Sequence, residues 1–125
     1  MKSFTLTHTA PNARTELHDA LSLTGAEVSL NELPAGAAVP FVHSHRKNEE
    51  IYGILSGKGK VTLDGETVEL QAGDWLRVSP EAKRQFAAAD DSAMSFVCIQ
   101  VRENSLEGYT AGDAVIEGCR TPIFL

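Results

Sequence analysis

Between residues 26 and 101 the apolar and polar positions follow a period of two. Glycine, proline and aspartate break it at short intervals, which predicts a run of short β-strands. AEVSLNEL alternates, with Val28 and Leu30 on one face, and Pro34-Ala35-Gly36 signals a turn. Residues 39–45 and 50–56 read as strands. Gly57-Lys58-Gly59 reads as a hairpin turn, and residues 59–63 and 66–70 flank Asp64-Gly65, the strongest short-range hairpin signal in the chain. Gly73-Asp74 opens a strand over 75–78 that stops at Ser79-Pro80, and residues 86–88 and 94–101 finish the series. Such spacing predicts an all-β fold, a sandwich or barrel of antiparallel sheet. In the last strand Met94, Phe96, Cys98 and Gln100 alternate with Val97, Ile99 and Val101. Both faces are apolar, so the pattern does not select the inward one.

The flanks follow other patterns. Residues 4–7 are β-like, and residues 14–21 suggest a short N-terminal helix with Leu17, Ala20 and Leu21 on one face and Gly25 as its stop. The tail from 102 to 125 is less regular. Its apolar end, Ile123-Phe124-Leu125, is expected to pack on the barrel or on a partner subunit. A length of 125 residues suits one domain, 1–125, with a core over about 26–101, an N-terminal segment 1–25 and a tail 102–125.

Composition narrows the function classes. No apolar run is long enough to span a bilayer, and the N-terminus lacks the apolar core of a secretory signal, so a cytoplasmic protein with no membrane partner is expected. The two cysteines, Cys98 and Cys119, do not suggest a disulfide framework, and Cys98 in FVCIQV reads as a buried thiol. The net charge is −6, and no Lys/Arg cluster exceeds a pair, which disfavours nucleic acid.

The candidate chemistry lies in GAAVPFVHSHRKNEEIYGILSG, residues 36–57. His43 and His45 would project to one face of a strand, and Glu50 follows on the next. Two imidazoles and a carboxylate bind first-row divalent metals, leaving M²⁺ with a residual charge of about +1. Their ligating atoms are expected to converge to about 3–4 Å, since such metals bind N and O at about 2 Å. The spacing does not choose among Fe, Mn, Ni and Zn. Tyr52 shares the face of Glu50, and Phe86 that of Arg84, so both are candidate pocket wall.

This stretch resembles the first motif of the cupin superfamily: a glycine, His43-x-His45, Glu50 after four residues, and Gly57 after six more. The spacer before His43 is one residue longer than the usual form. Gly73-Asp74 to Pro80 resembles the first half of the second motif. There Glu81 stands near a usual glycine, and Arg84 stands where a third metal-binding histidine is expected. The resemblance implies a double-stranded β-helix or jelly-roll barrel with a site between its sheets. It also implies a divalent metal on His43, His45 and Glu50, a small-molecule ligand and a homodimer.

Arg84 decides how such a site behaves, because a guanidinium has no lone pair for a metal. It pairs with Glu50 in the metal's place, anchors an anionic ligand, or turns to solvent. Three functions stay open: a metal-dependent enzyme of isomerase, dioxygenase or lyase type in which Arg84 orients a small anionic substrate, a binding or sensory module, and a metal-free structural barrel whose pocket is empty or filled by an Arg84–Glu50 pair. Fold does not select among them.

Overall fold

The computed structural model describes residues 3–118 and 122. Its strands are β1 (Arg14–Glu16), β2 (Glu27–Leu33), β3 (Asn48–Leu63), β4 (Glu66–Gln71), β5 (Trp75–Val78), β6 (Arg84–Ala88) and β7 (Met94–Arg102), all paired antiparallel. One helical turn, α1 (His18–Leu21), and a 3₁₀ turn at Gly108–Thr110 complete the elements among the described residues. The architecture is a jelly-roll barrel.

Strand β3 joins the two sheets. Its first part pairs with β7 on one side and β5 on the other, extending the order β1-β2-β7-β3-β5. From Lys58 onward the same strand pairs with β4 and β6 instead. The change of partners falls just after a bulge between Ile54 and Ser56 and at Gly57, whose φ is +73°. Bulges and glycines are how a strand turns a barrel corner. Gly57-Lys58-Gly59 is therefore a bend within one strand and not the expected hairpin turn. Backbone pairing passes from β7 to β4 and β6 without a break, so nothing reverses the chain there. Asp64-Gly65 does reverse it, with φ of +51° and +86°, between β3 and β4.

Three further expectations are corrected. Residues 39–45 run along β6 but form only isolated bridges, Ala38 to Ala87 and His43 to Arg84. Val39 N–H bonds to Phe86 and His43 N–H to Arg84, so four steps on one side match two on the other. The surplus loops out at Pro40, which has no N–H to give a ladder. Residues 14–16 of the expected helix are instead strand β1 on β2, and only His18–Leu21 is helical, ending at Ser22 with φ of +54°. The edge of β2 takes those residues because it offers them a ladder that a short helix cannot match. Residues 4–7 form no strand, and Phe4 and Leu6 are exposed. The tail end Ile123-Phe124-Leu125 lies outside the described residues.

The sheets decide which faces are inward. Met94, Phe96 and Cys98 of β7 are buried, while Val97, Ile99 and Val101 take the outer face. Register places Ser29 opposite Cys98, so Ser29 points in and Val28 and Leu30 point out. Between the sheets, Tyr52 and Phe86 have ring centroids 4.3 Å apart and Phe86 stacks on Phe96 at 5.3 Å. Trp75 lies across Gly53 on the outside and stays 63% exposed.

A Cβ on Gly57 would stand 1.7 Å from the Ala93 carbonyl oxygen, whereas one on Gly65 would meet open space. Both carry a positive φ, so both substitutions pay conformational strain and only the first also forces backbone apart. Gly57→Ala is expected to lose at least about 2 kcal/mol in urea unfolding and Gly65→Ala about 1 kcal/mol. Equal losses would mean that the corner at Gly57 is not tightly packed.

Candidate functional site

The site forms where the segment before β3 crosses the open side of the barrel. His43 is held by two backbone hydrogen bonds with Arg84, and His45 N–H donates to the Pro80 carbonyl. Glu50 comes from β3, facing inward with Tyr52 and Ile54. The donor atoms of His43, His45 and Glu50 lie within 4.8 Å of one another. Nε2 of His43 is 3.6 Å from Glu50 Oε1, and Nε2 of His45 is 3.2 Å from Oε2. The two imidazoles meet edge to face at 5.2 Å. The spread is wider than the 3–4 Å expected. Ligands at about 2.1 Å from one ion stand at most about 4.2 Å apart, so a bound cation must draw these groups together.

Arg84 is the most deeply buried charge in the site, at 0% exposure. Its Nη1 donates to Glu50 Oε1 at 2.6 Å. Nε donates to the Ala82 carbonyl, and Nη2 to the carbonyls of Ser79, Pro80 and Ala82. Every guanidinium nitrogen thus has a partner within the protein. Glu50 is equally engaged. Oε1 also accepts from the Tyr52 hydroxyl at 2.5 Å, and Oε2 accepts from the Cys98 thiol at 3.2 Å. Burial alone would raise the Glu50 pKa, yet the bonds from Tyr52, Arg84 and Cys98 outweigh it and hold the carboxyl below its ordinary value. The neighbours respond in the opposite sense. Burial, then the Glu50 charge, pushes the Cys98 thiol up to about 12, and burial, then Cys98 and Glu50, raises the Tyr52 hydroxyl. Cys98 is therefore a hydrogen-bond donor here and not a thiolate nucleophile.

The imidazoles are less satisfied. Nδ1 of His43 and Nε2 of His45 are buried without a hydrogen bond, although the latter stands 3.2 Å from Glu50 Oε2 off the line such a bond requires. Burial, the largest influence, lowers the His43 pKa below 6.5, so the ring is neutral at pH 7. Both rings line a pocket of about 500 Å³ with Glu50 and Tyr52. Its walls include Leu33, Val39, Phe41 and Phe96, and its polar groups include Arg14, Asn31 and Gln100.

Two residues expected at a ligand surface do not line this pocket. Arg84 is sealed behind Glu50, and Phe86 is 2% exposed behind Tyr52 and Phe96. Cys98, Arg14, Asn31 and Gln100 were not among the expected site residues. The period-two pattern of 94–100 put Cys98 and Gln100 on one face, but only the register Tyr52 to Cys98 and Glu50 to Gln100 brings that face to the site.

The three donors match a divalent cation in kind, and one lone pair of Oε2 remains beside His45. Arg84 changes the charge balance. With the guanidinium paired to Glu50, a bound M²⁺ keeps a net charge of about +2 in place of about +1.

Residues 29–100 match the family model described as a cupin domain. A crystal structure of a cupin protein from Bacteroides fragilis is 65% identical, with a TM-score of 0.90 over 94% of this chain and 99% of that one. A predicted oxalate decarboxylase from Thermotoga maritima is 25% identical with a TM-score of 0.54, over 62% of this chain and 64% of its own. An uncharacterized protein of Methanocaldococcus jannaschii is 33% identical over 76 residues, which are 59% of this chain and 60% of that protein's length.

Removing one partner of a buried ion pair strands the other. Glu50→Gln is expected to cost about 3–5 kcal/mol at pH 7 in urea unfolding with a chelator present. The folded carboxyl pKa is depressed, so its stabilisation is complete above the ordinary value of 4.5 and is lost as pH falls through the lower folded value. The parent should show this acid limb and Glu50→Gln should lack it. Parallel stability curves for the two proteins would contradict the ion-pair assignment.

Proposed function

The chain belongs to the cupin domain family, and from that premise we propose that its barrel binds a small molecule in a pocket where Arg84 does the electrostatic work that a metal ion would otherwise do. The observation that carries this reading is the Arg84–Glu50 pair, at 2.6 Å and 0% exposure of the arginine. The carboxylate is already neutralised, so the cavity needs no cation to be stable. His43 and His45 line the pocket and each has a ring nitrogen without a hydrogen bond in the protein, which a ligand's polar group would satisfy. The apolar walls supply the rest of the contact. Likeness to a predicted oxalate decarboxylase supports a small acid as ligand class.

The second reading is a metal-dependent enzyme. Its support is the close, unbonded approach of His45 Nε2 to Glu50 Oε2 at 3.2 Å, beside His43 Nε2 at 3.6 Å from Oε1. A cation held by His43, His45 and Glu50 would supply Lewis-acid chemistry to a ligand in the pocket. On the first reading the same groups bind a cation only weakly, because Arg84 repels it.

We also infer a homodimer through the outer face of the sheet formed by β1, β2, β7, β3 and β5. Val28, Leu30, Ile51, Val97 and Ile99 lie on that face, and Leu55 and Trp75 are more than half exposed. A sheet face this apolar is stabilised by a second apolar surface.

Calorimetric titration with Ni²⁺ separates the two readings. The parent should bind more weakly than micromolar, and Arg84→His, which removes the repelling charge and adds an imidazole, should bind at least roughly tenfold tighter. Sub-micromolar binding by the parent would favour the enzyme. For association, light scattering should give twice the monomer mass at micromolar concentration and Trp75→Glu should halve it, whereas a monomeric parent would contradict the dimer.

A further inference from the structure

Arg84 is closed off from the pocket, so a ligand's charge must be read elsewhere. Arg14 is the only lysine or arginine among the described residues that line the cavity. It opens β1 on the rung opposite Asn31 of β2. Its Nη1 donates to Asn31 Oδ1 at 2.8 Å, and Asn31 Nδ2 donates in turn to Ser29 Oγ at 3.0 Å. Ser29 is 2% exposed, so the guanidinium is oriented by a relay rooted in the barrel wall. Nε donates to Glu16 Oε1 at 3.2 Å, an exposed pair of the weak kind. No bond is formed by Nη2 within the described residues.

We infer that Arg14 is the anion-recognising residue of the pocket, and that the ligand is a small monocarboxylate with an apolar body. Its carboxylate sits at the β1 edge on the free edge of the guanidinium. Its body lies along Leu33, Val39, Phe41 and Phe96, and its far end reaches His43 and His45. The opposite orientation would bring the carboxylate to a Glu50 already paired with Arg84, where no free cation receives it. A volume of about 500 Å³ suits a molecule of this size. Arg14 is about half exposed, so screening limits its effect to roughly tenfold in affinity.

This inference rests on the binding-pocket reading, and the test distinguishes the failure of each. Hexanoate and hexanamide have the same body and differ in charge. Their affinities are measured by NMR titration for the parent, Arg14→Gln and Arg14→Lys. The parent should bind hexanoate roughly tenfold more tightly than hexanamide. Arg14→Gln should erase that preference, hexanoate affinity falling to that of hexanamide, and Arg14→Lys should recover part of it. Equal affinity of the parent for both probes overturns the role of Arg14 and leaves the pocket standing. A hexanoate preference that persists in Arg14→Gln overturns it as well. Absence of binding by either probe at millimolar concentration overturns both the inference and the pocket reading.

Discussion

The barrel is organised around a buried guanidinium–carboxylate pair. Two charges removed from water lose several kcal/mol of solvation each, and their attraction repays this only when every remaining polar atom is also bonded. Arg84 and Glu50 meet that condition. Three carbonyls of the β5–β6 turn take the guanidinium, and Tyr52 and Cys98 take the carboxylate. The pair thereby ties β3 to β6, to the turn before β6, and to β7. A metal ion on three or four side chains would tie together the same elements. On the reading proposed above, a side chain serves in its place and is covalently retained.

That substitution depends on the way β3 is shared. The strand must leave one sheet and enter the other without ending, and the bulge and Gly57 allow it to do so. Glu50 and Tyr52 then stand on the part paired with β5 and β7, and Val61 to Leu63 on the part paired with β6. Arg84 opens β6 opposite Leu63 and is bridged on its other side to His43. The geometry that sets the imidazoles beside Glu50 is therefore the same geometry that brings the arginine to it.

Much of this was legible in the chain. Asp64-Gly65, and Gly73-Asp74 and Ser79-Pro80 at the two ends of residues 75–78, are local signals, and local signals survive folding. His43, His45 and Glu50 were legible because their spacing matches a pattern that already encodes the fold. The place of Arg84 in that pattern left its course open, and only the fold, which buries it against Glu50, decides it. Other features depend on partners distant in sequence. Gly57-Lys58-Gly59 has the composition of a turn, and only the strands alongside it keep it extended. Residues 14–16 satisfy a helical spacing until the edge of β2 is present to pair with them. Arg14 could not be assigned to the pocket before β1 existed, and Cys98 could not be assigned to Glu50 before the register of β7 on β3 was known.

The central claim is that Arg84 and Glu50 stabilise the site through each other. A double-mutant cycle measures this directly, using Glu50→Gln, Arg84→Met and the combined variant in urea unfolding at pH 7. Loss of the turn carbonyls' donor occurs in both proteins carrying Arg84→Met and so cancels from the coupling. The account predicts a favourable coupling of about 2 kcal/mol or more, with the combined variant far less destabilised than the sum of the single changes. Additive losses would contradict it, and would mean that the two charges are neighbours without being partners.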